Sequence, residues 1–214
     1  MVDLHVATTN RHKLIEIAEV LEPMGVRVVG LDTITLADGS AAADLAEPIE
    51  DADTFAQNAS IKASYYAKAI GRPCLADDSG LVVDALDGAP GVRSARYAGV
   101  DANRDQRDKA NNQKLLRELA LVPQKKRTAR FVCAMCFASP TGQTLAQSEG
   151  VFQGVITDSP RGANGFGYDP LLELPDGRTS AELSSEEKNE RSHRGAALCA
   201  IAPKLIEALK RSNR

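Results

Sequence analysis

Residues 129–138 and 144–156 are two β-rich runs joined through Ser139-Pro140-Thr141-Gly142, a composition that closes hairpins. A chain carrying that hairpin contains antiparallel pairing, which a purely parallel doubly wound sheet lacks. Helix and strand patterns alternate around it. Leu4-His5-Val6-Ala7 reads as a short strand, and Leu14, Ile17, Ala18 and Leu21 follow at helical spacing. A second helix begins at Thr54, where Thr54 and Gln57 form a capping box ahead of a face of Phe55, Ala59, Ala63 and Tyr66, and it ends near Gly71-Arg72-Pro73. Cys74-Leu75-Ala76 and Leu81-Val82-Val83 predict strands flanking residues 77–80, and a polar helix spans about residues 104–119. Then come a short strand at Leu171-Leu172, a Pro175-Asp176-Gly177 turn, a helix capped by Ser184 with Glu187, and a last helix burying Leu198, Ile201, Leu205 and Leu209. The predicted fold is α/β, a mixed central sheet with flanking helices, and residues 1–214 are expected to form a single domain.

At 214 residues and 43% hydrophobic composition, such a chain can bury a sizeable core. With 26 basic against 29 acidic side chains the net charge is −3, which provides no field for an extended polyanion, so nucleic acid is not an expected partner. A small phosphate ligand needs only a few convergent cations and amides. No secretory or membrane-spanning stretch is apparent, and a cytoplasmic protein with no membrane partner is expected. Of the four cysteines, Cys133 and Cys136 have the spacing of metal and redox pairs. They lie in a predicted strand, where residues three apart face opposite ways, so buried reduced thiols are expected, as for Cys74 and Cys199 in apolar surroundings. The Ala-rich stretch at residues 37–46 reads as a surface loop.

Five segments carry candidate chemistry. Thr8-Thr9-Asn10-Arg11-His12-Lys13 lies between a strand and a helix start, where free amides and the helix dipole attract anions; alternatively Asn10 merely caps and the cations are solvated. Thr54, Asn58 and Lys62 form one polar stripe with Glu50 just upstream, either a magnesium and phosphate grip or an ordinary solvated face. In Asp77-Asp78-Ser79-Gly80 two adjacent acids sit between apolar segments, and burying an unpaired charge is costly, so a compensating cation is called for unless the segment is a self-capped turn. Magnesium seeks such carboxylate oxygens, and a carboxylate so placed can deprotonate a water. Gly165-Phe166-Gly167-Tyr168-Asp169-Pro170 offers rings for stacking, or core, while Lys188 and Ser192-His193-Arg194-Gly195 supply donors or a charged helix surface.

Taken in order, these blocks resemble the inosine/xanthosine triphosphate pyrophosphatase family: Ala7-Thr8-Thr9-Asn10 with Lys13, Thr54-Phe55 through Lys62-Ala63, Ala76-Asp77-Asp78-Ser79-Gly80-Leu81, Gly88-Ala89-Pro90-Gly91 with Ser94-Ala95-Arg96-Tyr97, residues 165–170, and Ala181-Glu182-Leu183 through Lys188 with Ser192-His193-Arg194-Gly195. The resemblance implies a two-lobed α/β fold around a long mixed sheet, a homodimer, and a nucleotide in the cleft between lobes. It implies that Thr8, Thr9, Asn10, Arg11, His12, Lys13 and Lys62 hold the triphosphate and that Glu50 and Asp78 serve Mg2+. Asp78 is then also the catalytic proton acceptor, Ser79 contacts substrate, and Phe166, Gly167, Tyr168, Asp169, Lys188, His193 and Arg194 build the nucleobase site. The expected reaction is attack of water on the α-phosphorus, releasing monophosphate and pyrophosphate. A 6-oxo purine suits His193 or Arg194 as donor and Asp169 as acceptor. Thr9, His12 and Gln57 stand where the family commonly has glycine, glycine and glutamate. Alternative readings are a pyrophosphatase for modified pyrimidine or guanine nucleotides and a nucleotide-binding regulatory module without turnover. Adjacent acids argue against the latter, since a pure phosphate binder gains nothing from them without a metal.

Overall fold

The computed structural model describes residues 1–212. In chain order the elements are β1 (Val2–Val6), α1 (Arg11–Leu21), β2 (Val26–Gly30), α2 (Phe55–Ile70), β3 (Cys74–Val83), α3 (Arg104–Glu118), β4 (Thr128–Ala138), β5 (Thr144–Ile156), β6 (Leu172–Glu173), α4 (Ser185–Arg191) and α5 (His193–Ser212). The six strands form one sheet in the order β2-β1-β3-β4-β5-β6. β1 runs parallel to β2 and β3, whereas β6 is antiparallel to β5. The predicted hairpin between β4 and β5 is closed by Ser139 and Gln143, whose backbones bond at 2.8 Å. The sheet is therefore mixed, with helices flanking it, as the hairpin chemistry requires.

Capping residues set the helix starts. Asn10, Thr54, Asn103 and Ser184 each accept a backbone N–H of the first turn, and Gly71, with φ of 65°, closes α2 in the left-handed conformation a side chain disfavours. Two expectations are corrected. Residues 74–83 form one continuous strand rather than two strands flanking a turn, because both acids within it find partners on the packed faces. Cys199 is exposed, not buried: it falls on the outer side of α5 while Leu198, Ile201 and Leu205 face inward. The loop at residues 37–46 also contains a short 3-10 turn, Ala42–Asp44, with Ala42 fully buried.

The chain divides into two compact units. The first comprises Met1–Asp78, Cys133–Gly150 and α5. Its strands are packed on both faces, and strand alternation sorts the side chains. Leu75, Cys133, Met135 and Phe137 join Ile17 and Leu21 of α1 and Leu198, Ile201 and Leu205 of α5. Cys74, Ala76, Cys136 and Ala138 join Ala59, Ala63, Tyr66 and Ala67 of α2 in a separate cluster. Burial pushes the Cys133 thiol up to about 12, which keeps it protonated. The second unit, Ser79–Val132 and Val151–Ser192, has its own core of Leu81, Val83, Leu115, Leu119, Phe131, Phe152, Ile156, Tyr168 and Leu172. Among the described residues no helix is long and apolar enough to cross a membrane.

Candidate active site

Because Asp77 and Asp78 are consecutive in a strand, their carboxylates leave opposite faces of the sheet. Asp77 enters the side covered by α1 and α5, where its Oδ2 lies 2.8 Å from Lys13 Nζ and 3.1 Å from an Arg194 guanidinium nitrogen. The other end of that guanidinium pairs with Glu16 of α1. Asp77 is only 2% exposed and Arg194 only 1%, so neither charge is stabilised by solvent and each depends on its partner. Burial alone would raise the Asp77 pKa, but Lys13 and Arg194 outweigh it and hold the carboxyl well below the usual range. Arg194 is shifted the other way: burial disfavours its charge, yet Asp77 and Glu16 hold its pKa above the ordinary value.

Asp78 enters the side covered by α2. Asn58 Nδ2 donates to its Oδ2 at 3.1 Å, while Asn58 Oδ1 accepts the Ala52 N–H at 3.1 Å, tying the segment that carries Glu50 to the helix. Lys62, one turn along, places Nζ 3.1 Å from Glu50 Oε2 and 3.8 Å from Asp78 Oδ1. Here the net shift is upward: burial, the largest influence, raises the Asp78 pKa with help from Glu50, against Lys62, Lys13 and the Asn58 hydrogen bond. Burial also works against the Lys62 charge, but Asp78, Asp77 and Glu50 keep its pKa above the ordinary value. The strand thus carries a locked, fully ionised acid on one face and a more basic carboxylate on the other, an environmental split of the kind that assigns acid and base roles.

The loop before α1 is organised locally. Thr8 Oγ1 accepts the Asn10 N–H at 3.1 Å and Asn10 Oδ1 accepts the His12 N–H at 3.1 Å, while Thr9, Arg11 and His12 are exposed. Lys13 is the loop cation drawn onto the sheet. His193 opens α5 and is buried. Its strand-facing approach is tight: a side chain at Gly150 would overlap the His193 carbonyl, so this glycine lets α5 lie close to β5.

In the second unit, Ser79 follows on β3 and is half-buried. Gly165 and Gly167 adopt φ of 75° and 62°, which turns the segment so that Phe166 stays half-exposed. Asp169 is the hub of this turn. Its Oδ2 accepts the Phe166 N–H at 2.8 Å and Lys188 Nζ at 2.7 Å, and its Oδ1 accepts the Ser180 hydroxyl at 2.8 Å. Lys188 Nζ also lies 5.0 Å from the centre of the Phe166 ring. Phe166, Asp169 and Lys188 are therefore gathered. The Tyr168 ring is not beside them as a stacking face; it is buried in the unit's core, its hydroxyl donating to the Ser94 carbonyl at 2.9 Å.

Sequence reasoning gave Asp77 no role and overlooked Glu16. A strand reading of residues 74–83 would have found the first, since alternation alone puts adjacent acids on opposite faces. No sequence signal marks Glu16 among the polar positions of α1.

A mixed α/β fold with two differently tuned acids, two lysines and a helix-start loop suits an enzyme acting on an anionic substrate. Comparison with known proteins narrows this. A model of the Ham1 family matches residues 4–204, and the chain belongs to that family. It is 50% identical over 202 residues to a dITP/XTP pyrophosphatase of Geobacter sulfurreducens, covering 94% of this chain and 95% of that one. A dITP/XTP pyrophosphatase of Geobacillus kaustophilus is 49% identical over 199 residues, covering 92% and 91%. The solved structure of a HAM1 protein from Coxiella burnetii superposes with a TM-score of 0.81 at 38% identity, covering 97% of this chain and all of that one.

Proposed function

We propose that this protein hydrolyses non-standard purine nucleoside triphosphates such as dITP, ITP and XTP to the monophosphate and pyrophosphate, removing them from the nucleotide pool. The names of its relatives support the substrate class. The observation that carries the mechanism is the placement of Asp77 and Asp78 on opposite faces of β3, with the Asp78 pKa raised and the Asp77 pKa lowered. Asp78 is the proton acceptor. A raised pKa makes it a better base than a solvated aspartate, and Asn58 fixes the carboxylate through one hydrogen bond.

The donor set fits magnesium. Among the described residues no group of three or more acid, histidine or cysteine side chains gathers as a cation site. Magnesium is commonly held by one or two carboxylates, with substrate phosphates and waters completing its shell, and Glu50 and Asp78 around Lys62 match that pattern. When bound it supplies charge neutralisation on the phosphates and lowers the pKa of a coordinated water. Lys62 and Lys13, with Thr8, Thr9, Asn10, Arg11 and His12, bind the triphosphate by charge and by the positive end of the α1 dipole. Ser79 adds a substrate contact.

Nucleobase recognition falls to Phe166, Gly167, Asp169, Lys188, His193 and Arg194, with Tyr168 anchoring the segment in the core. Phe166 offers its ring, and Lys188 and His193 are the donors suited to the O6 acceptor of a 6-oxo purine. Asp169 already accepts three donors, so it acts mainly by holding Phe166 and Lys188, while Arg194 is held between Asp77 and Glu16. Adenine presents a donor where these sites expect an acceptor, and an unpaired buried donor is strongly rejected. A homodimer is part of the same proposal.

Incubation with magnesium and a panel of nucleoside triphosphates, followed by product identification, tests this reading. Preferential conversion of dITP and XTP to monophosphate plus pyrophosphate is expected; diphosphate plus phosphate would refute the site of attack.

A further inference from the structure

Along α3, Arg104, Asp108 and Asn112 recur at every fourth position, which places them on one side of the helix. All three are half-buried, although Asp105, Gln106, Arg107 and Lys109 around them are exposed. Each reaches the same short turn. Arg104 lies over the Phe166 ring, its guanidinium carbon 4.7 Å from the centre. Asp108 Oδ2 accepts the Gly167 N–H at 2.9 Å, and Asn112 Nδ2 donates to the Gly167 carbonyl at 3.0 Å. Both polar groups of one residue are thus held by one helix, one turn apart.

Gly167 is in the left-handed region, with φ of 62°, and connects Phe166 to Tyr168 and Asp169. Its backbone torsions set the direction in which the Phe166 ring projects. Asp108 is itself steadied by Arg104, whose Nε is 3.9 Å from Asp108 Oδ2. The Asn112 amide oxygen remains buried with no hydrogen-bond partner, a cost that makes sense where the amide is oriented for its donor end. Farther along, α3 is anchored by Leu115 and Leu119 in the core and by Asn111, which accepts the Ala98 N–H at 2.7 Å and donates to the Ser94 carbonyl at 3.2 Å.

We infer that Arg104, Asp108 and Asn112 are positioning residues that fix the Phe166–Gly167 turn and thereby set affinity for the nucleobase. The inference rests on the proposed reading of Phe166 as a base-contacting residue. An unclamped turn would spend binding energy on ordering, so its loss is expected in KM rather than in kcat.

The test is steady-state kinetics on dITP and dATP with magnesium for the full-length enzyme and the variants Asp108→Ala, Asp108→Asn, Asn112→Ala and Phe166→Ala. Asp108→Ala and Asn112→Ala are each expected to raise KM for dITP by about three- to tenfold, the worth of one hydrogen bond, while kcat stays within about twofold. Asp108→Asn, whose amide oxygen can still accept the Gly167 N–H, is expected to recover most of the lost affinity. KM does not depend on the fraction of enzyme folded, so a merely structural role of α3 would lower activity at unchanged KM, and that result overturns the inference. If Phe166→Ala raises KM while both clamp variants leave it unchanged, the clamp is refuted and the base site stands. If Phe166→Ala changes neither KM nor the dITP preference, the base-site reading fails and the inference falls with it.

Discussion

Lys13 Nζ lies 2.8 Å from Asp77 Oδ2, on the opposite face of β3 from Asp78. A lysine at the start of α1 is thereby anchored to the central strand. The same oxygen holds Arg194 of α5 at 3.1 Å, so one buried carboxylate ties two helices to the central strand.

Replacing Asp77 with Asn leaves Lys13 and Arg194 facing a neutral amide, with Glu16 still opposing Arg194. Removing one partner of a buried ion cluster is expected to cost about 3–5 kcal/mol, read from urea unfolding at pH 7. The pH dependence has a definite sign. Because the folded-state pKa of Asp77 lies below its ordinary 3.8, the carboxylate contributes stability that is present above that value and declines as pH falls below it. The difference between wild type and Asp77→Asn should narrow on acidification toward about pH 3. A constant gap would show that Asp77 does not act through its charge.

Asn58 contributes both ends of its amide, one to Asp78 and one to the Ala52 backbone. Asn58→Ala leaves the Ala52 N–H without this acceptor and Asp78 without its fixed donor. A stability loss of about 1–3 kcal/mol is expected, with kcat/KM reduced by about tenfold or more. Asn58→Asp should be worse for turnover, since it sets a second acid against Asp78. Thermal unfolding and initial rates check both.

Gly165 is the position where the base turn tolerates least. It adopts φ of 75°, and a Cβ there would overlap the Asp169 carboxylate. Gly165→Ala should therefore raise KM for dITP and cost about 1–3 kcal/mol of stability, combining backbone strain with displaced packing. Gly167→Ala meets no neighbouring atom and bears the φ penalty alone, about 1–2 kcal/mol. Equal effects at the two sites would contradict the crowding at Gly165.

Much of this fold was legible because its signals are local. Thr54 with Gln57, Ser184 with Glu187 and the Ser139-to-Gly142 connection each fix an end or a turn by short-range hydrogen bonds, and the elements follow. The polar stripe of Asn58 and Lys62 was readable for the same reason, since helical spacing brings both to one face. What was not legible depends on distant partners. Asp77 read as part of a turn because its compensating charges, Lys13 and Arg194, are far away in sequence. Asp169 read as a group free to meet a base, whereas three donors from residues 166, 180 and 188 already occupy it. Arg104, Asp108 and Asn112 went unmarked within a helix read only as polar, because polar residues at that spacing look alike whether they meet water or a buried turn.

The central claim is that Asp78 accepts the proton of the attacking water. Its most direct measurement compares wild type and Asp78→Asn for dITP hydrolysis and for binding of a non-hydrolysable dITP analogue in magnesium. The account predicts that turnover falls by about 10²- to 10⁴-fold while analogue affinity stays within about tenfold. An Asp78→Asn enzyme that keeps turnover within about tenfold of wild type would contradict it.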